Sequence, residues 1–361
     1  MKLLFVVNSL GIGGAEKMVV FVAKELKVRG HSCSIINLNI NNKFDRSPEG
    51  ELEVFNADIQ YTGMLTTNYK WIKFVYDISK KERPDVIIGF AGLANFCVAA
   101  TEKLLKIPSV ICERNDPFRT FRHPSFSQRL KIRTINSATG AVFQTREAGE
   151  FYSKKLRKKS VVIANPIFIN EEYSPIDYAN LPKTIVSLGR FSNKQKRFDV
   201  LLKGFKEFHK KHEDYILNIY GSGPDEEYIN SQIAALGIDN FVEVKGKTDS
   251  PLKTLSGEGI FAITSDYEGI SNSLLEAMAV GLPVVSTDHT PGGARFLIED
   301  HKNGLLIPTE DPHALSSALA EYAEKPELRF LCGTKAKDVI NRFSPVKCID
   351  SWESYLQLII K

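Results

Sequence analysis

A chain of 361 residues with 43% hydrophobic, 25% charged and 10% aromatic residues is long enough for two cores, and its make-up excludes a disordered or fibrous protein. No apolar run reaches about 18 residues, which argues against a spanning helix. The five cysteines are scattered without CxxC spacing, so neither a disulfide framework nor a zinc site is expected and the cytoplasm is the default location. The net charge of +4 hides an asymmetry, with +11 in residues 1–170 and −7 in residues 171–361.

The chain opens on the apolar run Leu3–Val7, too short for a signal peptide core and read instead as a first buried strand. It leads into the glycine turn LGIGGAEKM and a helical pattern over Ala15–Arg29, followed by a strand at Ser32–Asn37. Strand and helix patterns alternate onward: Asp85–Phe90, Leu93–Lys106, Ser109–Cys112, Gln128–Asn136, Ala141–Gln144 and Val161–Ala164. Such alternation predicts an α/β, doubly wound parallel sheet. Between Phe118 and Lys159, Arg119, Arg122, Arg129, Lys131, Arg133 and the run KKLRKK accompany Phe118, Phe121 and Phe126. Basic side chains among aromatics suit an anionic membrane surface or a polyanion, and equally suit the solvated faces of two surface helices. No nucleic-acid recognition motif accompanies them.

From Asn165 to Lys183 the text carries three prolines and no sustained period, which reads as a linker. Alternation then restarts with TIVSLGR, a helix over Asp199–Lys211, YILNIYGSG, a helix over Glu226–Leu236 and FVEVKG. It continues with GIFAITSD, a helix over Asn272–Val280, PVVSTD and a helix over His313–Glu324. The expected organisation is therefore a domain over 1–168, a second over 169–340, and a helix in 341–361 packing back on the first. Two such domains put the carboxyl ends of their sheets, where such sheets bind ligands, on either side of a cleft.

Three stretches of the second half carry candidate chemistry. In SDYEGISNSLLEAMAVGLPVVS a strand delivers a turn at Gly269, Ser271 is a plausible N-cap, and the helix opens with free N–H groups suited to phosphate. Glu268 precedes the turn and Glu276 follows eight residues later, which would let one carboxylate meet a sugar and the other a ribose diol. In SLGRFSNKQKRFD, Arg190, Lys194, Lys196 and Arg197 leave one strand end, so several cations can converge on one anion. In YGSGP the absent side chains of a strand-ending Gly-Ser-Gly let backbone approach a ligand.

Taken together, the Gly-Gly turn, the GR with a downstream lysine, GSGP, the lone KG after FVEV, EGISNSLLEAMAVGLPVVS and NGLLIP resemble the retaining glycosyltransferases of family four, which have the GT-B fold. The resemblance covers nearly the whole chain and is densest in the second half. The fragment ERNDP, Glu113–Pro117, resembles the subset that builds bacterial polysaccharides and lipid-linked glycans. It implies transfer of a hexose or N-acetylhexosamine from a nucleotide sugar, preferably a UDP-sugar, to an acceptor hydroxyl of a glycan or lipid-linked glycan with the anomeric configuration retained. It further implies two Rossmann-like domains, the first for the acceptor and the second for the nucleotide sugar, in a cytoplasmic protein peripheral to the inner face of the membrane.

By the resemblance, Arg190 and Lys196 would neutralise the donor diphosphate in place of a metal, with no other cofactor, and the sequence contains no DxD pair. Glu276 would hold the ribose hydroxyls. Glu268 with Gly269, Ile270, Ser271, Asn272, Ser273 and Leu274 would contact the transferred sugar and phosphates. Gly221 and Ser222 would line the nucleotide, the segment around Gly246 and Lys247 would border the base, and Gly13 and Gly14 would approach the diphosphate from the first domain. The common spacing selects Gln195, flanked by Lys194 and Lys196; Lys196 is preferred because the RFD after it matches the family's GFD. Where many members place a first-domain histidine, this chain has Glu113, Arg114 and Asn115, and which of them meets the reaction centre stays open.

Other classes compete with this reading, a purely structural interaction protein among them. A dinucleotide-binding oxidoreductase would need glycine at Glu16 and an acidic residue closing the second strand, SCSIINLN, and finds neither. An epimerase, phosphorylase or non-transferring binding protein on the same fold is the alternative that fold alone leaves standing.

Overall fold

Alternate burial explains the first strand: Leu3, Phe5 and Val7 join one core cluster while Leu4 and Val6 join the one on the opposite face. A strand buried on both faces is the mark of a parallel sheet covered by helices. The computed structural model describes residues 1–11, 14–38, 50–60, 63–169 and 171–361, and within them the chain divides into two units, Met1–Asn165 with Val346–Lys361, and Pro166–Pro345.

In the first unit the order is β1 (Lys2–Val7), α1 (Gly14–Val28), β2 (Ser32–Asn37), β3 (Glu53–Asn56), α2 (Met64–Glu82), β4 (Val86–Phe90), α3 (Gly92–Leu105) and β5 (Ser109–Glu113). It continues with α4 (Pro117–Thr120), α5 (Phe126–Ile135), β6 (Gly140–Phe143), α6 (Arg146–Glu150), α7 (Lys154–Arg157) and β7 (Ser160–Val162). The parallel sheet runs β3-β2-β1-β4-β5-β6-β7, so the strand order reverses between β1 and β4. The edge strand β3 and the helix α2 have no counterpart among the sequence expectations. β3 is one exposed and three half-buried residues, and such a strand lacks the apolar alternation that marks a covered one.

The second unit runs β8 (Thr184–Leu188), α8 (Asn193–Lys196), α9 (Phe198–His209), β9 (Ile216–Tyr220), α10 (Glu226–Leu236), β10 (Val242–Gly246), α11 (Pro251–Ser256), β11 (Ile260–Ile263) and α12 (Asn272–Val280). After it come β12 (Val284–Thr287), α13 (Gly293–Leu297), β13 (Leu305–Ile307), α14 (Pro312–Glu324), α15 (Pro326–Ala336) and α16 (Val339–Arg342). The parallel order is β10-β9-β8-β11-β12-β13, and the reversal falls between β8 and β11. Two doubly wound parallel sheets are thus present, as the alternation predicts.

The last helix, α17 (Pro345–Ile360), packs on the first sheet. Trp352, fully buried, stacks on Phe90 at 5.7 Å and 16°. The Tyr355 hydroxyl accepts the Ala141 N–H at 2.8 Å in the space left by the missing side chain of Gly140. Replacing Trp352 by alanine removes the largest buried side chain of this helix and should cost about 3–5 kcal/mol. Urea unfolding followed through the fluorescence of Trp71, which lies in the same unit, measures it.

Candidate active site

The carboxyl ends of β8 and β11, the neighbours at which the second sheet reverses, carry the GR segment and the EGISNS turn respectively. A sheet of this type opens its ligand crevice at that reversal, because the two following helices leave on opposite faces. Three loops on the β8 side are laced by backbone: Gly189 N–H to the Tyr220 carbonyl at 3.0 Å, Phe191 N–H to Ser222 at 2.9 Å, and Gly221 N–H to Gly246 at 2.7 Å. A Cβ at Gly221 would collide with the Gly189 carbonyl, and one at Gly223 with that of Phe191. The close approach expected of a ligand at the Gly-Ser-Gly turn is here made by the neighbouring loop. Gly246 has open space around it but a φ of +71°, so its backbone conformation calls for glycine. Lys247 beside it is exposed, and Ser222 is half-buried.

The turn α8 and the β11 loop are tied together. Gln195 donates from Nε2 to the Tyr267 carbonyl at 3.1 Å, its own carbonyl accepts the Asp266 N–H at 2.9 Å, and Thr264 Oγ1 donates to the Lys196 carbonyl at 2.9 Å. Gln195, at the five-residue spacing, is thereby spent on the backbone. Lys196 instead lies along Gly189 and ion-pairs with Glu268, both largely buried, while Lys194 is exposed. Arg190 is exposed and its guanidinium has no partner among the described residues.

Glu268 also accepts from Ser265 Oγ at 2.6 Å, and its N–H donates to the Thr290 carbonyl at 2.8 Å. Burial alone would push its carboxyl up; the Lys196 ammonium, His289 and the Ser265 hydroxyl override this and hold it below the usual carboxylate range. The Gly269 carbonyl is so close to Gly293 that a side chain there would strike it. Ile270 and Ser273 are buried, Leu274 wholly so. Ser271 caps α12, accepting the Leu274 N–H at 3.5 Å with its hydroxyl 3.1 Å from that of Ser273. Asn272 is exposed at the helix start and Glu276 is half-buried one turn later. The structure thus brings Lys196 onto Glu268, four residues before α12 opens.

Sequence reasoning passed over His289, Ser265 and the Gly292–Gly293 turn. The signal was present in STDHTPGGARFL, a strand ending in a glycine turn before a helix. His289 is wholly buried, and neither ring nitrogen has a well-aligned partner among the described residues.

In the first unit, Gly14 is the exposed first residue of α1, and Gly13 lies outside the described residues. Glu113 turns inward: its carboxylate accepts the Arg114 and Asn115 N–H groups at 3.0 and 3.1 Å and the Tyr152 hydroxyl at 2.6 Å. Burial still raises its carboxyl, against those hydrogen bonds. Arg114 lies over the Phe90 ring at 5.1 Å and donates to Asn165 Oδ1 at 3.1 Å, which leaves Asn115 as the exposed member of the three. No group of three metal-ligating side chains occurs among the described residues, and none of their helices is long and apolar enough to cross a membrane.

Two doubly wound parallel sheets, with the candidate site at the carboxyl-terminal reversal of the second, define a protein of GT-B architecture. Residues 174–339 match the family described as glycosyl transferases group 1, and the chain carries that domain and is a glycosyltransferase. An uncharacterized glycosyltransferase of Haemophilus influenzae is 25% identical over 98% of each chain. The GalNAc-alpha-(1->4)-GalNAc-alpha-(1->3)-diNAcBac-PP-undecaprenol alpha-1,4-N-acetyl-D-galactosaminyltransferase of Campylobacter jejuni is 25% identical over 88% of each chain. In fold the chain is similar to Anabaena HepE, solved in complex with UDP, with a TM-score of 0.81 and 21% identity over 99% of this chain and 100% of that one.

His289 makes stability pH-dependent. Burial holds its pKa below the ordinary 6.5, opposed by Glu268 and reinforced by Lys196. The unfolded ring takes up a proton that the folded ring refuses, so this contribution is present above pH 6.5 and is lost as pH falls through the depressed folded value. Unfolding free energy in urea should therefore fall less for His289→Phe than for the wild type between about pH 7 and about pH 5.

Proposed function

We propose that the protein transfers a hexose or N-acetylhexosamine from a UDP-sugar to a hydroxyl of a glycan or lipid-linked glycan, with retention of anomeric configuration and without a metal. The observation that carries this reading is the Lys196–Glu268 pair at the sheet reversal, in front of the α12 N-terminus. Lys196 and the unengaged guanidinium of Arg190 supply the positive charge that a departing nucleoside diphosphate requires as the sugar–phosphate bond breaks. Glu268, held ionised by Lys196, is placed to accept from sugar hydroxyls, and the α12 N–H groups favour the phosphates. Glu276, a turn along, takes the ribose hydroxyls, and Lys247 borders the base. The attacking hydroxyl approaches on the face the diphosphate leaves, and the leaving phosphate oxygen takes its proton. Two flanking carboxylates of the glycosidase kind are then unnecessary. The Campylobacter relative acts on an undecaprenol-linked glycan and HepE binds UDP, which supports the acceptor and donor classes.

Lys196→Ala and Glu268→Gln should each lower kcat about 100-fold or more in a coupled assay of nucleotide release, with activity unchanged by EDTA. In a thermal-shift panel UDP-sugars should stabilise the protein, and stabilisation by GDP- or ADP-sugars alone refutes the donor assignment.

We further propose that the first unit touches an anionic membrane. On α5, Phe126 (85% exposed), Arg129, Leu130 (57% exposed) and Arg133 recur at helical spacing, with Phe118, Arg119 and Arg122 exposed nearby. The protein should sediment with phosphatidylglycerol vesicles at low salt, and Phe126→Ser with Leu130→Ser should abolish this without changing nucleotide release to a soluble acceptor.

A further inference from the structure

Arg197 stands where the family pattern has glycine, and it adopts the conformation that glycine would take, φ 50° and ψ 51°. A residue with a Cβ is disfavoured there, so something must hold it. Its guanidinium is used on every side. Nε and Nη2 donate to the two carboxylate oxygens of Asp199, both at 3.0 Å, and Nη1 donates to Asp266 at 3.0 and 3.2 Å and lies 3.0 Å from Glu310. Asp199 opens α9, on Lys196's side of the reversal; Asp266 precedes Glu268 by two residues on the other side.

We propose that Arg197 is a positioning residue: its fork locks the Lys196 turn to the Glu268 loop and so determines where the Lys196 ammonium stands against the donor diphosphate. This rests on the reading of Lys196 as the diphosphate contact. The lysine has four rotatable side-chain bonds, and its ammonium is anchored only to Glu268 among the described residues. That anchor is fixed in space only if the two loops keep one separation. Backbone ties between them exist, at Gln195–Asp266 and at Thr264 to the Lys196 and Arg197 carbonyls. Without the guanidinium, however, Asp199 and Asp266 would face one another as two largely buried carboxylates, and their repulsion would pull against those ties. In this chain the left-handed turn is held by an ionic bridge.

The test is titration calorimetry of full-length protein with UDP and, as a base-independent probe, inorganic pyrophosphate. Arg197→Gly accepts the left-handed turn and removes only the bridge. It should weaken both ligands about tenfold, and the loss should vanish when Lys196 is already alanine, because the bridge acts through that ammonium. Asp266→Ala removes the acceptor of the bridge on the other loop, should weaken both ligands in the same direction, and decides the matter if the glycine variant does not fold. Equal binding by Arg197→Gly or Asp266→Ala and the wild type overturns the proposal, as does a loss that multiplies with that of Lys196→Ala. If Lys196→Ala itself binds like the wild type, or the wild type binds neither probe, the diphosphate reading of Lys196 fails and the positioning role falls with it.

Discussion

A buried ion pair between Lys196 and Glu268 is the constraint on which the second unit's site depends. Two charges withdrawn from water cost more in desolvation than a surface pair would, and removing either partner strands the other, at about 3–5 kcal/mol. Glu268 is therefore surrounded by compensation: the ammonium, the Ser265 hydroxyl and the field of His289. Lys196 follows β8 whereas Glu268 and Ser265 follow β11, so the pair can exist only when the ends of β8 and β11 are neighbours. The strand order supplies that adjacency by reversing there.

Several glycines follow from the same crowding. Gly221 and Gly223 let the β9 loop lie against the β8 loop, and Gly293 lets the β12 loop lie against the Gly269 carbonyl. Backbone packed on backbone gives the crevice rigid walls, and rigidity is what lets dipoles and charges stabilise a developing charge without reorganising. A left-handed arginine, disfavoured by roughly 1–2 kcal/mol, is kept within this wall by two carboxylates.

The first unit is built on the same plan but spends its polar residues differently. Glu113 is consumed by its own backbone and Tyr152, and Arg114 by Phe90 and Asn165. Its distinct feature is the exposed aromatic and basic side chains of α4 and α5. Closing its core falls to the distant segment α17, whose Trp352 stacks on Phe90.

What the amino-acid sequence determined by itself was the local pattern. Apolar runs four to six residues long, amphipathic stretches and glycine turns identified the two doubly wound sheets, most of their elements and the segments SLGR, GSGP and EGISNS, because strand and helix periods and turn chemistry are properties of neighbouring residues. A short edge strand such as β3, with little apolar alternation, left no such trace. Tertiary structure alone decided which lysine of the basic loop meets Glu268, that Gln195 is spent on the Tyr267 carbonyl, that Glu113 faces inward, and that His289 lies buried beside the ion pair. Those outcomes depend on residues far apart in the chain competing for the same few ångströms, and spacing along one strand or helix carries no information about that competition.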